Sequence, residues 1–247
     1  MTETRRRPVA RRSALDRNIL QKNSLLRALD GARASRFLSA AKLVDLASRE
    51  KIYEPDEPIT TVYFPMSSVL SVVARMADGG AIEVGTVGKE GVSALPLILG
   101  STSSANESYC QVPGTAVAIT AEFFMEISGE DKAFRRLLDR YLQAYINLLG
   151  QLAACNRLHS VYERCARWLL LTHDRVNADD LPLTHEFLAM MLGTRRSGVT
   201  IAAATLQKAG FIRYGHGHIK ILDRPGLEDA SCECYAVAKK QFDGLLR

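Results

Sequence analysis

The sequence predicts an α+β chain: an N-terminal antiparallel β-roll or jelly roll, a long central helix, and a C-terminal winged helix-turn-helix. Three patterns carry this. Short runs rich in β-branched and aromatic residues, punctuated by Gly and Pro, fill the stretch from Ile52 to Ile119. Apolar residues then recur in steps of four and three from Phe134 to Cys155. The segment from Leu183 to Ile212 places apolar, small and glycine positions as two crossing helices require.

Composition sets the bounds. A chain of 247 residues, 47% apolar and 24% charged, can bury a core in one large or two modest domains, which excludes disorder over most of its length. No apolar run reaches the roughly 18 residues of a membrane span, and the arginine-rich start is not followed by one. A cytoplasmic protein without membrane contact is expected. Five cysteines, an odd number, read as free thiols. Four segments are expected: a flexible basic arm (1–22), the β-roll (23–128), the helix (129–158) and the winged helix-turn-helix (159–247).

The net charge of +5 is uneven. Residues 1–27 hold eight Lys/Arg against two acids, 28–158 hold twelve against fifteen, and 159–224 hold nine against six. A polyanionic partner would explain cationic ends, and so would a solvated face. The arm, with Arg5, Arg6, Arg7, Pro8, Arg11 and Arg12, could equally be a tail without a partner.

Helical spacing of Leu25, Leu26, Leu29, Phe37, Leu38, Leu43, Val44 and Leu46, interrupted near Gly31, predicts short helices over 24–50. Strands are expected at Thr61–Phe64, Ser68–Ala74, Ala81–Val84 and Ala116–Ile119. Asp78-Gly79-Gly80 makes a hairpin turn, because glycine accepts positive φ. From about Ala121 a long helix is expected. Its seam of Phe134, Leu138, Tyr141, Tyr145, Leu148, Leu152 and Cys155, widened by Leu137, Ile146 and Leu149, predicts a homodimeric coiled coil. Packing on the chain's own β domain would leave the same pattern.

In the helix-turn-helix, Leu188, Leu192, Val199 and Ala202 fall where crossing helices bury side chains, Ala189 is small at their approach, and Gly193 sits at the turn. Two unrelated packed helices would meet some of these constraints. Thr184 opens the first helix and Thr194 is expected to cap the second, whose first turn presents Arg195, Arg196 and Ser197, with Thr200 one turn on. An arginine at such a helix start can bond guanine O6 and N7, so double-stranded DNA is the expected partner. Phe211–Tyr214 and His218–Leu222, joined through Gly215-His216-Gly217, form a hairpin wing that offers Arg213, His216 and Lys220 to the DNA backbone. Ordinary solvated side chains would look the same.

This order of β-roll, long helix and winged helix-turn-helix resembles the Crp/Fnr family of bacterial transcription regulators. The resemblance spans about residues 24–225 and is strongest over Leu183–Asp223. It implies a cyclic-nucleotide-binding-like β-roll that senses a signal, a helix that dimerises, and recognition helices that read a two-fold operator; RNA polymerase is a further partner it allows. Arg196 matches the family's frequent guanine-reading arginine. Ser197 and Ile201 replace the acidic and basic residues of the cyclic-AMP receptor branch, so operator preference should differ. Family members that bind a cyclic nucleotide use a Gly-Glu segment and an Arg-Ser/Thr pair. Here the matching region, Gly91–Leu95 to Asn106–Ser108, lies in a stretch from Glu90 to Asp131 without Lys, Arg or His. Control by cyclic AMP is not expected, and the effector stays unknown. The iron-sulfur branch uses N-terminal cysteines, and none precedes Cys110.

No cofactor, metal or catalytic residue is expected. Cys232 and Cys234 with His216 and His218 are zinc-ligand types, but surface or packing roles are expected for them, since the histidines alternate on a turn and Cys-x-Cys is not the usual spacing. Cys155 and Cys165 read as buried, inert thiols. Cys155 and His159, one turn apart, could form a nucleophilic pair, but nothing orients the base. No phosphate loop, Gly-x-Ser-x-Gly elbow or metal-spaced histidine pair on a helix supports an enzyme. The alternative is a signalling module whose C-terminal domain serves oligomerisation; an exposed Arg195/Arg196 pair argues against it.

Overall fold

The computed structural model describes residues 9–11, 15–176 and 178–244; most of the basic run (Arg5, Arg6, Arg7, Pro8, Arg12) and Asn177 lie outside them. The chain begins with strand β1 (Val9–Arg11), a 3-10 helix (Arg17–Lys22), α1 (Ser24–Arg27) and α2 (Gly31–Ala40). Within the expected flexible arm, Val9–Arg11 and Arg17–Lys22 are ordered elements. β1 pairs antiparallel with β2 (Lys42–Leu46), and Leu20 of the 3-10 helix is buried. Asn23 anchors this stretch: fully buried, it donates to the carbonyls of Pro65 and Gly91 at 3.0 and 2.8 Å, while its Oδ1 accepts from Leu25 N and Leu26 N and caps α1.

The helix expected to reach residue 50 also ends early, because Leu43, Val44 and Leu46 belong to β2, where Val44 and Leu46 alternate into the core. β3 (Lys51–Tyr53), β4 (Thr61–Pro65), β5 (Val69–Arg75), β6 (Ala81–Val87), the short α3 (Leu95–Ile98), β7 (Glu107–Val112) and β8 (Gly114–Thr120) follow. They form two four-stranded sheets, ordered β1-β2-β8-β4 and β3-β7-β5-β6. Gly79, at φ +86°, turns β5 into β6 as expected. Phe64 is buried between Phe37 and Phe124, with ring centroids 5.5 and 6.3 Å away.

Phe124 lies on α4 (Ala121–Glu130), and α5 (Lys132–Leu158) follows as a separate helix. The single helix expected from Ala121 is broken at Asp131, whose carboxylate accepts from Ala133 N and Phe134 N and starts α5 afresh. The chain divides into two compact units, one holding the residues up to Val72 and Thr86–Leu142, the other Val73–Gly85 and the chain from Gln143 onward. The second contains the tip of the β5–β6 hairpin, the end of α5, α6 (Val161–Val176), β9 (Asp180–Leu181), α7 (His185–Leu192), α8 (Arg196–Lys208), β10 (Ile212–Gly215), β11 (His218–Ile221), α9 (Arg224–Asp229) and α10 (Cys234–Asp243). β11 lies between β10 and β9.

The α5 seam is not a free surface. Phe134, Leu138, Tyr141, Tyr145, Leu148 and Cys155 are all buried within the single chain, and Leu152 is half-buried. Tyr141 lies over Gly91 and Tyr145 over Gly85, where a β-carbon would collide with each phenol. The expected dimer interface is therefore corrected at the six buried positions, whose regular spacing records packing inside the chain. Ile146, 51% exposed, lies with Gly150, Ala153 and Ala154 on the open side of α5. Among the described residues no helix is long and apolar enough to cross a membrane.

Candidate nucleic-acid interface

α7 begins at Thr184, whose hydroxyl accepts from Phe187 N at 3.1 Å. Leu188, Ala189 and Leu192 of α7 and Val199 and Ala202 of α8 are buried, as the pattern required. α7 ends on Gly193 in the left-handed region (φ +57°), with its N–H on the carbonyls of Ala189 and Met190 and Thr194 N on Ala189 O at 3.0 Å. A β-carbon on Gly193 would also run into Ile82 of the hairpin tip. Arg164 of α6 is buried and donates to the Leu192 carbonyl, which fixes the turn from behind.

The expected cap by Thr194 is corrected. Arg195, in extended conformation, is the N-cap of α8 and makes no side-chain cap bond; Thr194 is half-buried beside Gly198. The α8 start thus combines unpaired backbone N–H groups and a positive dipole end with the exposed side chains of Arg195, Arg196 and Ser197. Among the described residues neither arginine is held in an ion pair. One turn on, Thr200 is exposed but its hydroxyl is engaged: it donates to Arg196 O at 3.0 Å and lies 3.1 Å from His185 Nδ1.

His185 is a residue the sequence reading missed. Its ring stacks on Tyr214 with centroids 3.9 Å apart, so one side chain of α7 touches both α8 and β10. Burial, and then the charge of Arg196, hold its pKa below the ordinary histidine value. Nothing local in the sequence signals this, because the three partners come from separate elements. Ile201, noted only as a departure from the family pattern, is 69% exposed on α8, where an apolar group can meet a thymine methyl.

In the wing, Arg213 and Lys220 stand opposite each other across β10 and β11, both exposed. His216 (φ +51°) and Gly217 (φ +77°) form the tight turn, with His216 exposed at its tip. His218 is tied to Asp180 at 2.9 Å. Gln207 of α8 accepts from Tyr214 N at 2.7 Å and fastens the wing to α8. The cationic surplus of this stretch is sorted by the fold. Arg164, Arg167 and Arg175 are buried, and Arg224 is bound to Asp174 and Glu228. Arg195, Arg196, Lys208, Arg213 and Lys220 remain at the surface.

Residues 163–230 match the Crp-like helix-turn-helix domain. The chain carries a Crp-like helix-turn-helix domain. With it the protein is a DNA-binding transcription regulator, and its fold is that of the Crp/Fnr regulators. A putative Crp/Fnr-family transcriptional regulator from Eubacterium rectale superposes with a TM-score of 0.66 at 19% identity, covering 85% of this chain and 98% of its own. FixK2 from Bradyrhizobium japonicum gives 0.66 at 18%, covering 78% and 98%. A CRP-family transcriptional regulator from Thermus thermophilus gives 0.63 at 20%, covering 76% and 95%. No curated protein sequence matches the chain. The wing histidines His216 and His218 are not part of the cluster that Cys232 and Cys234 form with Cys155 and His159.

Proposed function

We propose that the protein binds a two-fold operator as a homodimer, inserting the start of α8 into the major groove. The carrying observation is the exposed, acid-free pair Arg195 and Arg196 at that helix start. Arg196 reads a guanine edge, Ser197 and Ile201 face neighbouring bases, and Arg195 holds phosphate. Arg213, His216 and Lys220 follow the backbone from the wing, Thr184 and Thr194 line the approach, and Thr200 supports the reading end through His185. The dimer forms through the open stripe of α5, Ile146, Gly150 and Ala153, whose small residues allow close helix approach to a second copy of this chain.

The protein so described carries out no reaction, works in the cytoplasm with the DNA, and is not controlled by cyclic AMP. The segment that by resemblance would hold the phosphate brings Glu90 and Glu107 and no cation from Glu90 to Asp131. Selection of bound fragments from random DNA by the purified protein tests it. A palindromic motif, unchanged by cyclic nucleotides, is expected; enrichment of no sequence would refute it.

A further inference from the structure

We propose that Cys155, His159, Cys232 and Cys234 form a tetrahedral zinc site that fastens the end of α5 to the start of α10. Their four ligand atoms all lie within 4.8 Å of one another. Cys155 Sγ is 3.6 Å from Cys232 Sγ, and Cys234 Sγ is 3.5 Å from His159 Nδ1. A tetrahedral ion with bonds of ~2.3 Å to sulfur and ~2.0–2.1 Å to nitrogen sets its ligands ~3.8 Å apart for two sulfurs and ~3.6 Å for sulfur and nitrogen. The Cys155–Cys232 and Cys234–His159 separations lie within about 0.2 Å of two of those edges. A disulfide would need its sulfurs at ~2.05 Å. An iron-sulfur cluster places several atoms between its ligands, and this set leaves room for one ion.

The surroundings are those of a closed structural site. All three cysteines are buried, and the His159 side chain is 17% exposed. Four protein donors leave no open position for a reacting water. His159 presents Nδ1 to the cluster while its Nε2 lies 3.2 Å from Glu233 Oε2, the carboxylate–histidine arrangement that orients a metal ligand. Gln151 Nε2 donates to Cys234 Sγ at 3.0 Å. Three thiolates and a divalent ion carry a net charge of about −1, and the buried Arg164 and Arg167 supply the opposite sign. Thiols buried only as small hydrophobes have no need of such company. Cys165 is buried with nothing but desolvation acting on it.

The test uses full-length protein without a histidine tag, purified under reducing conditions. Elemental analysis is expected to find about one zinc per chain. Replacement by Co²⁺ is expected to give the visible bands and thiolate charge transfer of a tetrahedral site. Cys155→Ser and Cys234→Ser should fall below about a tenth of that content, while Cys110→Ser keeps it. Glu233→Gln should weaken zinc affinity ~10–100-fold without abolishing it. His159→Cys, which retains four zinc donors, separates ligation from folding: it should hold the ion where His159→Ala loses it, with circular dichroism read alongside. Protein that is metal-free with every thiol free to a thiol reagent and shows no cobalt bands overturns the proposal. So does zinc that survives Cys155→Ser, or a Cys155–Cys232 disulfide in place of metal.

Discussion

Trp168 Nε1 donates to Glu83 Oε1 at 2.9 Å, a buried bond that joins α6 of the Crp-like domain to the tip of the β5–β6 hairpin. The neighbouring Ile82 covers Gly193 at the turn between α7 and α8. Two adjacent residues of one strand thus hold the reading domain at its scaffold helix and at its turn. A change in the position of that strand would be felt at both.

Gly193→Ala is expected to destabilise the protein by ~2–4 kcal/mol, from left-handed backbone and from overpacking against Ile82 together. Gly210→Ala is the control, since Gly210 has φ +83° but open space around it; it should cost only ~1 kcal/mol. Adding Ile82→Ala to Gly193→Ala should recover part of the loss in denaturant unfolding. No recovery would mean the contact carries no strain.

Arg196→Ala and Arg213→Ala should fail differently. The first is expected to lose ~1–3 kcal/mol on the selected operator and to relax preference at one position per half-site. The second should weaken all sequences alike and flatten the slope of log K against log salt by ~0.9 per subunit. Titrations of matched and scrambled duplexes at several salt concentrations separate the two. Unchanged discrimination in Arg196→Ala would remove it from the groove.

Ile146→Glu is expected to yield folded monomers with weak operator binding, because two linked half-sites supply the avidity. Leu148→Glu, two residues on, should unfold the protein, since Leu148 is buried within its own chain. Sedimentation and circular dichroism distinguish these outcomes. A folded dimer of Ile146→Glu would contradict the assignment of the open face.

His185 gives a pH dependence with a defined sign. Its native pKa lies below the unfolded value, chiefly through burial and then through Arg196. The stability tied to neutral His185 is fully present above the unfolded pKa and is lost as pH falls through the native one. Between about pH 7 and about pH 5 the unfolding midpoint of the native sequence should drop more than that of His185→Gln. Equal drops would show that the ring titrates without constraint.

The helix-turn-helix was legible because its rules are local: Leu188, Ala189, Leu192, Val199 and Ala202 are buried and Gly193 is left-handed, all within fifteen residues. The α5 seam was legible as a buried face, but periodicity does not name what covers it; Gly85 and Gly91, the surfaces under Tyr145 and Tyr141, lie fifty or more residues upstream. The cysteine cluster could not be read, because Cys155 and Cys232 are separated by 77 positions and only the fold closes that distance. Charge counting also misled in part, since Arg164, Arg167 and Arg175 contribute to the surplus and all three are buried.

The unmatched guanidinium groups of Arg195 and Arg196 have a practical side. In a crude lysate they will collect whatever RNA and DNA fragments are present, so the protein will leave its first column with excess ultraviolet absorbance until a high-salt wash or a heparin resin strips them.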